Sequence, residues 1–353
     1  MPAARPQLKP ALRRIWRDAS TLQLGVDPGH AVVISGLDQR CARLVDALDG
    51  TRERSDVVAA ARRLGVDPTR AHELLGLLER SGVLDDASAD RRALAALSQG
   101  DRDRLAPDLA AASLVRGTED GGVAVLTRRR NAVVAVRGAS RVGAAVTTLL
   151  AAAGVGTLVV EDSGIAAASD ITPAGLGSKD VGASREDAAI RAARRLSPGL
   201  RRALPRGRRD PDLVVLSPDQ GGLGDLPDRL VGRGVVHLFA QVRDVTGVVG
   251  PLVLPGRSSC ARCHDLHRAD RDPAWPSVAA QLTDTARQRA AACDVVLATA
   301  VAAQAAAQVL AYLDGDPAPP AVDGTIELAQ ADGRVRRRGW TIHPLCGCGW
   351  PPE

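Results

Sequence analysis

The sequence predicts an α/β protein, with a doubly wound, Rossmann-like sheet preceded by a small α+β domain. Three observations lead to this prediction. A strand–turn–helix–strand pattern spans residues 131–162, short strands and helices alternate with turn signals over residues 1–85, and two close pairs of cysteines lie late in the chain. We therefore expect a domain of residues 1–85, a helical linker of residues 86–128 and an α/β domain of residues 129–353.

The composition fits a folded chain of about two domains. Of its 353 residues 45% are apolar, which is enough for a sizeable core. The net charge is +5, but the basic residues are nearly all arginine, are scattered, and are not interleaved with aromatic side chains. This pattern argues against a nucleic-acid-binding protein, because such surfaces combine clustered cations with stacking platforms.

The first 85 residues predict three strands followed by three helices. The strands are expected over residues 13–17, 21–25 and 31–35. Asp27-Pro28-Gly29 supplies turn chemistry between the last two strands. Apolar residues recur at helical spacing from Leu37 to Leu48, and further helices are expected from Ser55 and from Asp67-Pro68. Together these elements predict a winged-helix-type domain.

The elements of the α/β domain follow from buried-type runs and helix signals. A strand over residues 131–137 leads through a turn into a helix that Gly154 ends, and a second strand covers residues 157–161. Further elements are expected over residues 185–196, 213–216, 235–239 and 247–254. The apolar stretch from Asp294 to Tyr312 contains glutamines and is predicted to be a buried helix of a soluble protein. The start of the chain lacks the apolar segment of a signal peptide, so a cytoplasmic location without a membrane is expected.

The turn after the first strand of this domain reads Gly138-Ala139-Ser140-Arg141-Val142-Gly143. A glycine-rich turn at a helix N-terminus can hold phosphate, and an acid about 20 residues later, here Asp162, can bind a ribose hydroxyl. The middle glycine of the usual pattern is Ser140, whose side chain restricts the approach of phosphate to the backbone. A nucleotide-binding site and a fold that no longer binds nucleotide tightly are both compatible with this motif.

The late cysteines have the spacing of a metal site. They are Cys260, Cys263, Cys346 and Cys348. Four thiolates in two tight pairs suit tetrahedral zinc in a closed, structural site, and paired cysteines without an export signal favour metal over disulfides. Three nearby histidines could replace one sulfur, although surface or supporting roles are favoured for them: His264, His267 and His343.

Two further thiols are interpreted as structural. Cys41 lies on the apolar face of a predicted helix, which is typical of a core cysteine. Cys293 begins the long alanine-rich helix, where a lowered thiol pKa is possible. No histidine partner is identifiable for it, so a catalytic role is not favoured.

Residues 125–353 resemble the ThiF/MoeB and ubiquitin-activating-enzyme superfamily. The resemblance rests on ordered segments: residues 133–162 with Ala-Gly-Val-Gly at 153–156, residues 211–219, residues 247–257, the two cysteine pairs, and His343-Pro344. It implies a ThiF-type sheet with a zinc knot, and commonly a homodimer. Active members use ATP–Mg to adenylate a C-terminal carboxylate, usually that of a ubiquitin-like sulfur-carrier protein.

The sequence departs from the superfamily pattern around the phosphates. Asp170 stands where the resemblance implies an asparagine, and no arginine follows before Arg185, which replaces a family lysine. Asp162 matches the ribose acid, and Asp219 matches the acid that helps to hold magnesium. Losing a cation beside a triphosphate removes charge stabilisation, so weak or lost use of ATP is expected.

A PqqD-like winged-helix domain joined to a ThiF-like domain resembles the leader-peptide-binding partner of azoline-forming cyclodehydratases. In such systems a YcaO-type enzyme uses the ATP. The resemblance implies that the precursor's leader peptide adds to an exposed strand edge and is pinned by a neighbouring helix. The implied strand residues are Ala31, Val32, Val33 and Ile34, and the implied polar contacts are Arg70, His72 and Arg80.

The leading hypothesis is therefore a scaffold that binds a leader peptide and presents it to a YcaO-type cyclodehydratase. The alternative is an active adenylyltransferase that places Gly138, Ser140, Gly143, Asp162, Arg185 and Asp219 around ATP–Mg. The third hypothesis is a structural or DNA-binding protein. Few base-reading side chains occur in the predicted third helix, which argues against DNA.

Overall fold

The computed structural model describes residues 3–89, 92–218, 223–282 and 292–349. The chain divides into two compact units, Met1–Thr127 and Arg128–Glu353. Each unit has a hydrophobic core of its own.

The first unit opens with short strands and three helices. The strands are β1 (Pro6–Leu8), β2 (Arg14–Trp16), β3 (Leu22–Leu24) and β4 (Val32–Ile34). The helices are α1 (Gln39–Asp46), α2 (Arg54–Arg63) and α3 (Pro68–Arg80). β2, β3 and β4 form an antiparallel sheet in that order, so β4 is at an edge.

Local chemistry explains where these helices begin. The Asp38 side chain accepts from the Cys41 amide at the start of α1, and Asp67 accepts from the Thr69 amide at the start of α3, with Pro68 in the first turn. The inner faces of the helices pack on the sheet through Leu22, Leu24, Leu44, Leu75 and Leu78. Cys41 is buried in this core, as predicted.

The first unit continues through β5 (Leu84–Asp86), α4 (Arg92–Ala95) and α5 (Gln99–Arg116), and the next helix, α6 (Val123–Asn131), contains the division between the two units. β5 pairs antiparallel with β1. A buried lysine joins β5 and the end of α5 to the segment after β1. Lys9 Nζ lies 2.9 Å from Asp85 Oδ1 and also donates to the Ser113 and Thr118 carbonyls. Burying the ammonium is tolerable because its donors are all paired.

The second unit is an α/β fold. Its first elements are β6 (Val133–Arg137), α7 (Arg141–Ala152), β7 (Thr157–Glu161), α8 (Arg185–Leu196), β8 (Leu213–Leu216) and α9 (Leu226–Gly232). The later elements are β9 (His237–Arg243), β10 (Thr246–Val253), α10 (Ala261–Arg271), α11 (Trp275–Leu282), α12 (Val295–Leu313), β11 (Gly324–Ala329) and β12 (Val335–Gly339).

The strands form a seven-stranded mixed sheet in the order β12-β11-β10-β9-β8-β6-β7. β7, β6, β8 and β9 are parallel, and the remaining pairs are antiparallel. Because the chain leaves β6 for β7 on one side and returns to β8 on the other, the carboxyl ends of β6 and β8 form a topological switch point. Ligands of open α/β sheets bind at such points.

Helices cover both faces of this sheet. One core joins it to α7 and α12, through residues such as Val146, Leu150, Leu158, Leu213 and Val301. The other face packs on α9 and α10, and includes Phe239 and the cysteines of the late pairs. The predicted α/β fold class is confirmed, and the sheet positions the loops after β6, β7 and β8 together.

The alanine-rich helix α12 is long and apolar enough, by length and composition alone, to cross a membrane. In this fold it packs against α7, β9 and β10, and its inner residues include buried Ala298, Val301, Ala302 and Ala305. Packing of this kind is typical of the core helix of a soluble protein.

Several element boundaries differ from the sequence-based expectation. Asn131 ends α6, so β6 starts only at Val133, and β9 begins at His237 but extends to Arg243. Ala31 lies before β4 and not within it. These shifts are small because buried runs predict the existence of an element better than its ends.

Candidate functional site

The glycine turn after β6 is a close-packed junction between strand and helix. Gly138 has φ of 93°, and a Cβ there would lie 2.0 Å from the Ser217 carbonyl oxygen. A Cβ on Gly143 would lie 1.9 Å from the Gly138 oxygen. Both glycines are therefore required for the turn and for the approach of β8, whether or not a phosphate binds.

The middle of this turn carries side chains where the usual motif has glycine. Ser140 is buried and is the N-cap of α7, although its hydroxyl makes no capping hydrogen bond. The adjacent Arg141 guanidinium donates to the Cys293 carbonyl at 2.6 Å and to the Ser169 carbonyl. Arg141 thus binds protein backbone at the N-terminus of α7, where a phosphate would otherwise be held.

The side chain of the predicted ribose acid is only 4% exposed, and its carboxylate already accepts hydrogen bonds from protein groups. Asp162 Oδ2 accepts from the Ala139 amide at 2.6 Å, and Oδ1 accepts from the Gly164 amide at 2.6 Å and from Arg185 Nε at 3.0 Å. A Cβ on Gly164 would lie 2.4 Å from an Arg185 nitrogen, so this glycine makes room for the guanidinium. Asp162 and Arg185, which were both predicted to contact a nucleotide, are therefore close together, but they form an ion pair with each other.

Asp170 adds a second carboxylate to this cluster. Its Oδ1 lies 3.8 Å from Arg185 Nη1, and its Oδ2 accepts from the Ala167 amide. Arg185 is thus shared between two carboxylates, and its charge is neutralised within the protein. Among residues 138–185, the arrangement does not fit a triphosphate, which needs unneutralised donors and cations. Asp219, the predicted magnesium acid, lies outside the described residues.

The four late cysteines come together in the second unit. Cys260 is the N-cap of α10 and Cys263 lies in its first turn, whereas Cys346 and Cys348 lie beyond β12. Their sulfur atoms all lie within 4.8 Å of one another, with Cys260 and Cys346 3.5 Å apart and Cys263 and Cys348 3.3 Å apart. None is in a disulfide. Tetrahedral thiolate ligation of zinc needs S···S separations of about 3.8 Å, so this cluster can hold such a metal ion.

Burial affects the ionisation of these thiols unequally. Desolvation raises the pKa of Cys348 to about 12 and also raises the pKa of Cys260. Desolvation also opposes ionisation of Cys263, but hydrogen bonds, the first from the His343 amide, outweigh it and lower the pKa of that thiol. A bound cation would stabilise all four thiolates together.

The rings of the three nearby histidines contact other groups near the cysteine cluster, whereas the backbone amide of His343 donates to the Cys263 sulfur. His264 is buried and stacks on Trp340 at 4.5 Å, and burial, followed by the charge of Arg268, lowers its pKa to about 3. His343 accepts the Leu345 amide at Nδ1 and pairs with Asp270 through Nε2 at 2.9 Å. His267, Asp270 and His343 form a second group with metal-compatible spacing. Because Nδ1 of His343 accepts a hydrogen bond, its neutral ring carries the proton on Nε2.

The residues implied in peptide recognition lie in the first unit. Val33 is exposed and Ile34 is buried, whereas Ala31 and Val32 are half-buried. On α3 the predicted polar contacts are all exposed: Arg70, His72 and Arg80. Arg70 pairs with Glu73 at 3.5 Å, and His72 Nδ1 lies 2.7 Å from the Pro68 carbonyl oxygen. The structure thus presents both the strand edge and the helix side chains to solvent.

Some relevant residues were missed by sequence reasoning. Arg141 could have been noted because it is a cation in the turn itself, next to Ser140, which replaces the middle glycine of the motif. Lys9 could have been noted as one of only two lysines in an arginine-rich chain. Two arginines beside α11, Arg243 and Arg268, line a cavity and had no local sequence signal.

Solved structures share this fold over nearly the whole chain. E. coli MccB crystallised with ATP has a TM-score of 0.72 at 15% identity, covering 97% of this chain and 99% of that chain. The microcin C7 biosynthetic enzyme MccB in complex with N-formylated MccA has a TM-score of 0.71 at 15% identity, covering 98% and 99%. PaaA has a TM-score of 0.71 at 19% identity, covering 94% and 99%. At such identities the likeness shows the fold alone.

Sequence comparison is more specific for the second unit. No curated protein sequence matches the chain. The model of the ThiF family matches residues 114–348, which include the glycine turn, the Asp162 cluster and all four late cysteines. The expected superfamily is therefore confirmed, and the chain belongs to the ThiF family.

Proposed function

We propose that this protein is a scaffold for peptide modification. Its first unit would bind the leader of a ribosomally made precursor peptide, and the following segment would be presented to a separate YcaO-type cyclodehydratase. The observation that carries the proposal is the open edge of β4, together with the exposed polar side chains of α3 in the same unit.

The edge of β4 offers backbone groups for an added strand. β4 pairs with β3, and across residues 3–89 and 92–127 no other strand pairs with it. Val33 faces away from the core, with its side chain 46% exposed, whereas Ile34 points into the core. An extended peptide can pair with such an edge through its main chain, while its side chains supply specificity.

The α3 surface suits an acidic, partly apolar peptide. Arg70, Leu77 and Arg80 recur at helical spacing along one exposed face, and Leu77 is 40% exposed. Arginine side chains can bind carboxylates in bidentate fashion, and a basic surface speeds the association of an acidic partner. These features support a winged-helix-type recognition domain.

The Asp162 cluster supports a scaffold over an adenylating enzyme. The carboxylates of Asp162 and Asp170 and the guanidinium of Arg185 bind protein groups, and so does the guanidinium of Arg141 at the start of α7. Freeing Arg185 for a phosphate would leave two buried carboxylates without their cation, which is costly. We therefore assign the ATP-dependent step to the catalytic partner.

The cysteine cluster is assigned to structural zinc. The ion would supply no chemistry beyond cross-linking, because four protein sulfurs would complete its coordination. It would join the segment after β12 to the start of α10. Reduced, paired thiols of this kind also support the expected cytoplasmic location.

An active adenylyltransferase remains the second candidate function. Membership of the ThiF family favours it, as does the likeness to MccB, which has been crystallised with ATP. In that case Asp219 and a rearranged Arg185 would act on ATP–Mg toward a peptide or ubiquitin-like carrier carboxylate. A homodimer, common in the superfamily, is proposed in either case.

Peptide binding at β4 is tested with the full chain and acidic leader peptides of azoline precursors. We expect Val33→Asp and Arg80→Glu each to weaken binding at least about tenfold, or about 1.4 kcal/mol, in a fluorescence anisotropy titration. Val26→Asp is the matched control, because Val26 is also an exposed valine of this unit, 64% accessible. Equal losses in all three variants, or amide exchange at β4 unchanged by bound peptide, would contradict the proposal.

A further inference from the structure

A cavity of about 660 Å³ lies in the second unit beside the carboxyl ends of β8 and β9. Its walls come from β9, α10 and α11, and include Phe239, Gln241, His264 and Trp275. Its size is that of a typical site for a small organic ligand or a short peptide segment. Two guanidinium groups, those of Arg243 and Arg268, also line it.

Arg268 is held rigidly in the cavity wall. Its Nη1 donates to Asp265 Oδ1 at 3.1 Å, and its guanidinium lies 5.0 Å from the Trp275 ring centroid and 5.1 Å from that of Trp340. Asp265 also accepts the Trp275 indole N–H at 3.1 Å. Cation–π stacking and the ion pair therefore fix this cation in place.

Arg243, in contrast, has no carboxylate partner within salt-bridge distance among the described residues. The Gln241 side-chain oxygen, with its amide oriented to accept, lies 2.8 Å from Arg243 Nη2 and 3.2 Å from Nε. The described acids near Arg243 do not pair with it. Glu327 binds Arg336 and Arg338, and Asp244 lies in the exposed turn after β9.

The surroundings disfavour the charge on Arg243. Arg243 is itself exposed to solvent at the end of β9. Desolvation by the cavity wall, followed by the charge of Arg268, lowers its pKa, while Asp265 and Glu327 act in the opposite direction. The guanidinium nevertheless stays charged at any physiological pH. A bound anion would relieve this repulsion and complete the hydrogen bonding of the side chain.

We propose that the cavity binds an acidic side chain, Asp or Glu, of the peptide that this protein carries, with Arg243 as the anchoring residue. The apolar walls formed by Phe239 and Trp275 would accept a neighbouring apolar residue of the same peptide. Arg243 would bind the carboxylate, and Arg268 would supply the second positive charge. The inference rests on the proposed peptide-binding function and adds a specificity-determining residue to it.

The test uses dipeptide probes on the full, zinc-loaded chain, measured by isothermal titration calorimetry or ligand-observed NMR. N-acetyl-Leu-Glu-amide should bind about tenfold more tightly than N-acetyl-Leu-Gln-amide. Arg243→Gln should abolish this preference, and Arg243→Lys should restore part of it because the charge returns without the planar fork. Arg334→Gln is the matched control, since Arg334 is an exposed arginine of the same unit, and should leave the preference unchanged.

Two outcomes would overturn the inference: no preference for the glutamate probe, or a preference that survives Arg243→Gln. Equal binding of N-acetyl-Gln-Leu with a free C-terminus would also overturn it, since the site would then read a terminal carboxylate. Val33→Asp separates this inference from the leader-binding proposal. The dipeptide preference should persist in that variant, so each proposal can fail without the other.

Discussion

The Asp86 carboxylate, at the end of β5, is held by four hydrogen-bond donors. The amides of Ala4, Arg5 and Ser88 and the Ser88 hydroxyl all donate to it, at 2.6–3.0 Å. Desolvation opposes its ionisation, but these hydrogen bonds outweigh desolvation and lower its pKa to about 2. A group whose pKa falls on folding contributes stability above its usual pKa and loses it as the pH falls through the folded value.

Asp86→Asn should therefore lower the free energy of unfolding by about 1–2 kcal/mol at pH 7, after allowance for partial exposure to solvent. The difference from the wild type should narrow between pH 4 and pH 2, because the wild-type carboxylate then becomes protonated. Urea denaturation of both proteins across this range measures it. Asp46→Asn is the control, since its carboxylate is largely exposed in a pair with Arg14, and a pH-independent Asp86→Asn difference would refute the assignment.

At the scale of single residues, the residue types alone did not predict what Asp162 and Arg185 bind. Asp162 and Arg185 were expected around a nucleotide, and the structure brings them together as an internal ion pair. The sequence could not reveal this pairing, because it depends on the return of the chain after β7. Asp170, which replaces the asparagine of the superfamily pattern, was the informative residue, since it supplies the second carboxylate beside Arg185.

At the scale of elements, the segment after β12 depends on the cysteine cluster. Apart from the cysteines, contacts of Trp340 and His343 anchor this segment to the rest of the unit: the Trp340 indole donates to Thr325 and stacks on His264, the His343 amide donates to Cys263 sulfur, and the His343 ring pairs with Asp270. Since an unfolded chain does not preform the site, metal-binding energy becomes folding energy. The proposed zinc ion would thus fix residues 340–348 against α10.

Removing the metal should release this segment. We expect a single zinc ion per chain by atomic emission, its near-complete loss in Cys348→Ser, and its retention in Cys293→Ser, whose thiol lies apart from the cluster. Chelation should lower the melting temperature and change tryptophan fluorescence through Trp340. Unchanged metal content in Cys348→Ser, or a melting temperature insensitive to chelation, would contradict the zinc assignment.

Elements with strong local signals were predicted well. Residues 157–161, 185–196 and 213–216 have the predicted bounds, because buried β-branched runs and a helix flanked by caps are recognisable locally. The strands β1, β5, β11 and β12 were not predicted. β1 and β5 are only three residues long, and β12 is a fully exposed Arg-rich edge without apolar alternation.

At the scale of the whole molecule, the two units divide the proposed work. The first unit presents a strand edge and basic helix side chains. The second is a ThiF-family domain in which Asp162 and Arg185, the residues expected around a nucleotide, form an ion pair with each other. This division of work is a proposal that rests on the family resemblance seen in the sequence. The sequence could not show the cavity near Arg243, because residues from β9, α10 and α11 meet there only in the folded unit.

The central claim is that this ThiF-family chain binds peptide without activating it. ATP–pyrophosphate exchange by the full, zinc-loaded chain, with leader-bearing peptide present, tests the claim most directly. We predict no exchange above background, and no ATP–Mg binding into the millimolar range in a parallel titration. Exchange that disappears in Asp219→Ala would show instead that the chain is an adenylating enzyme, and the scaffold account would be wrong.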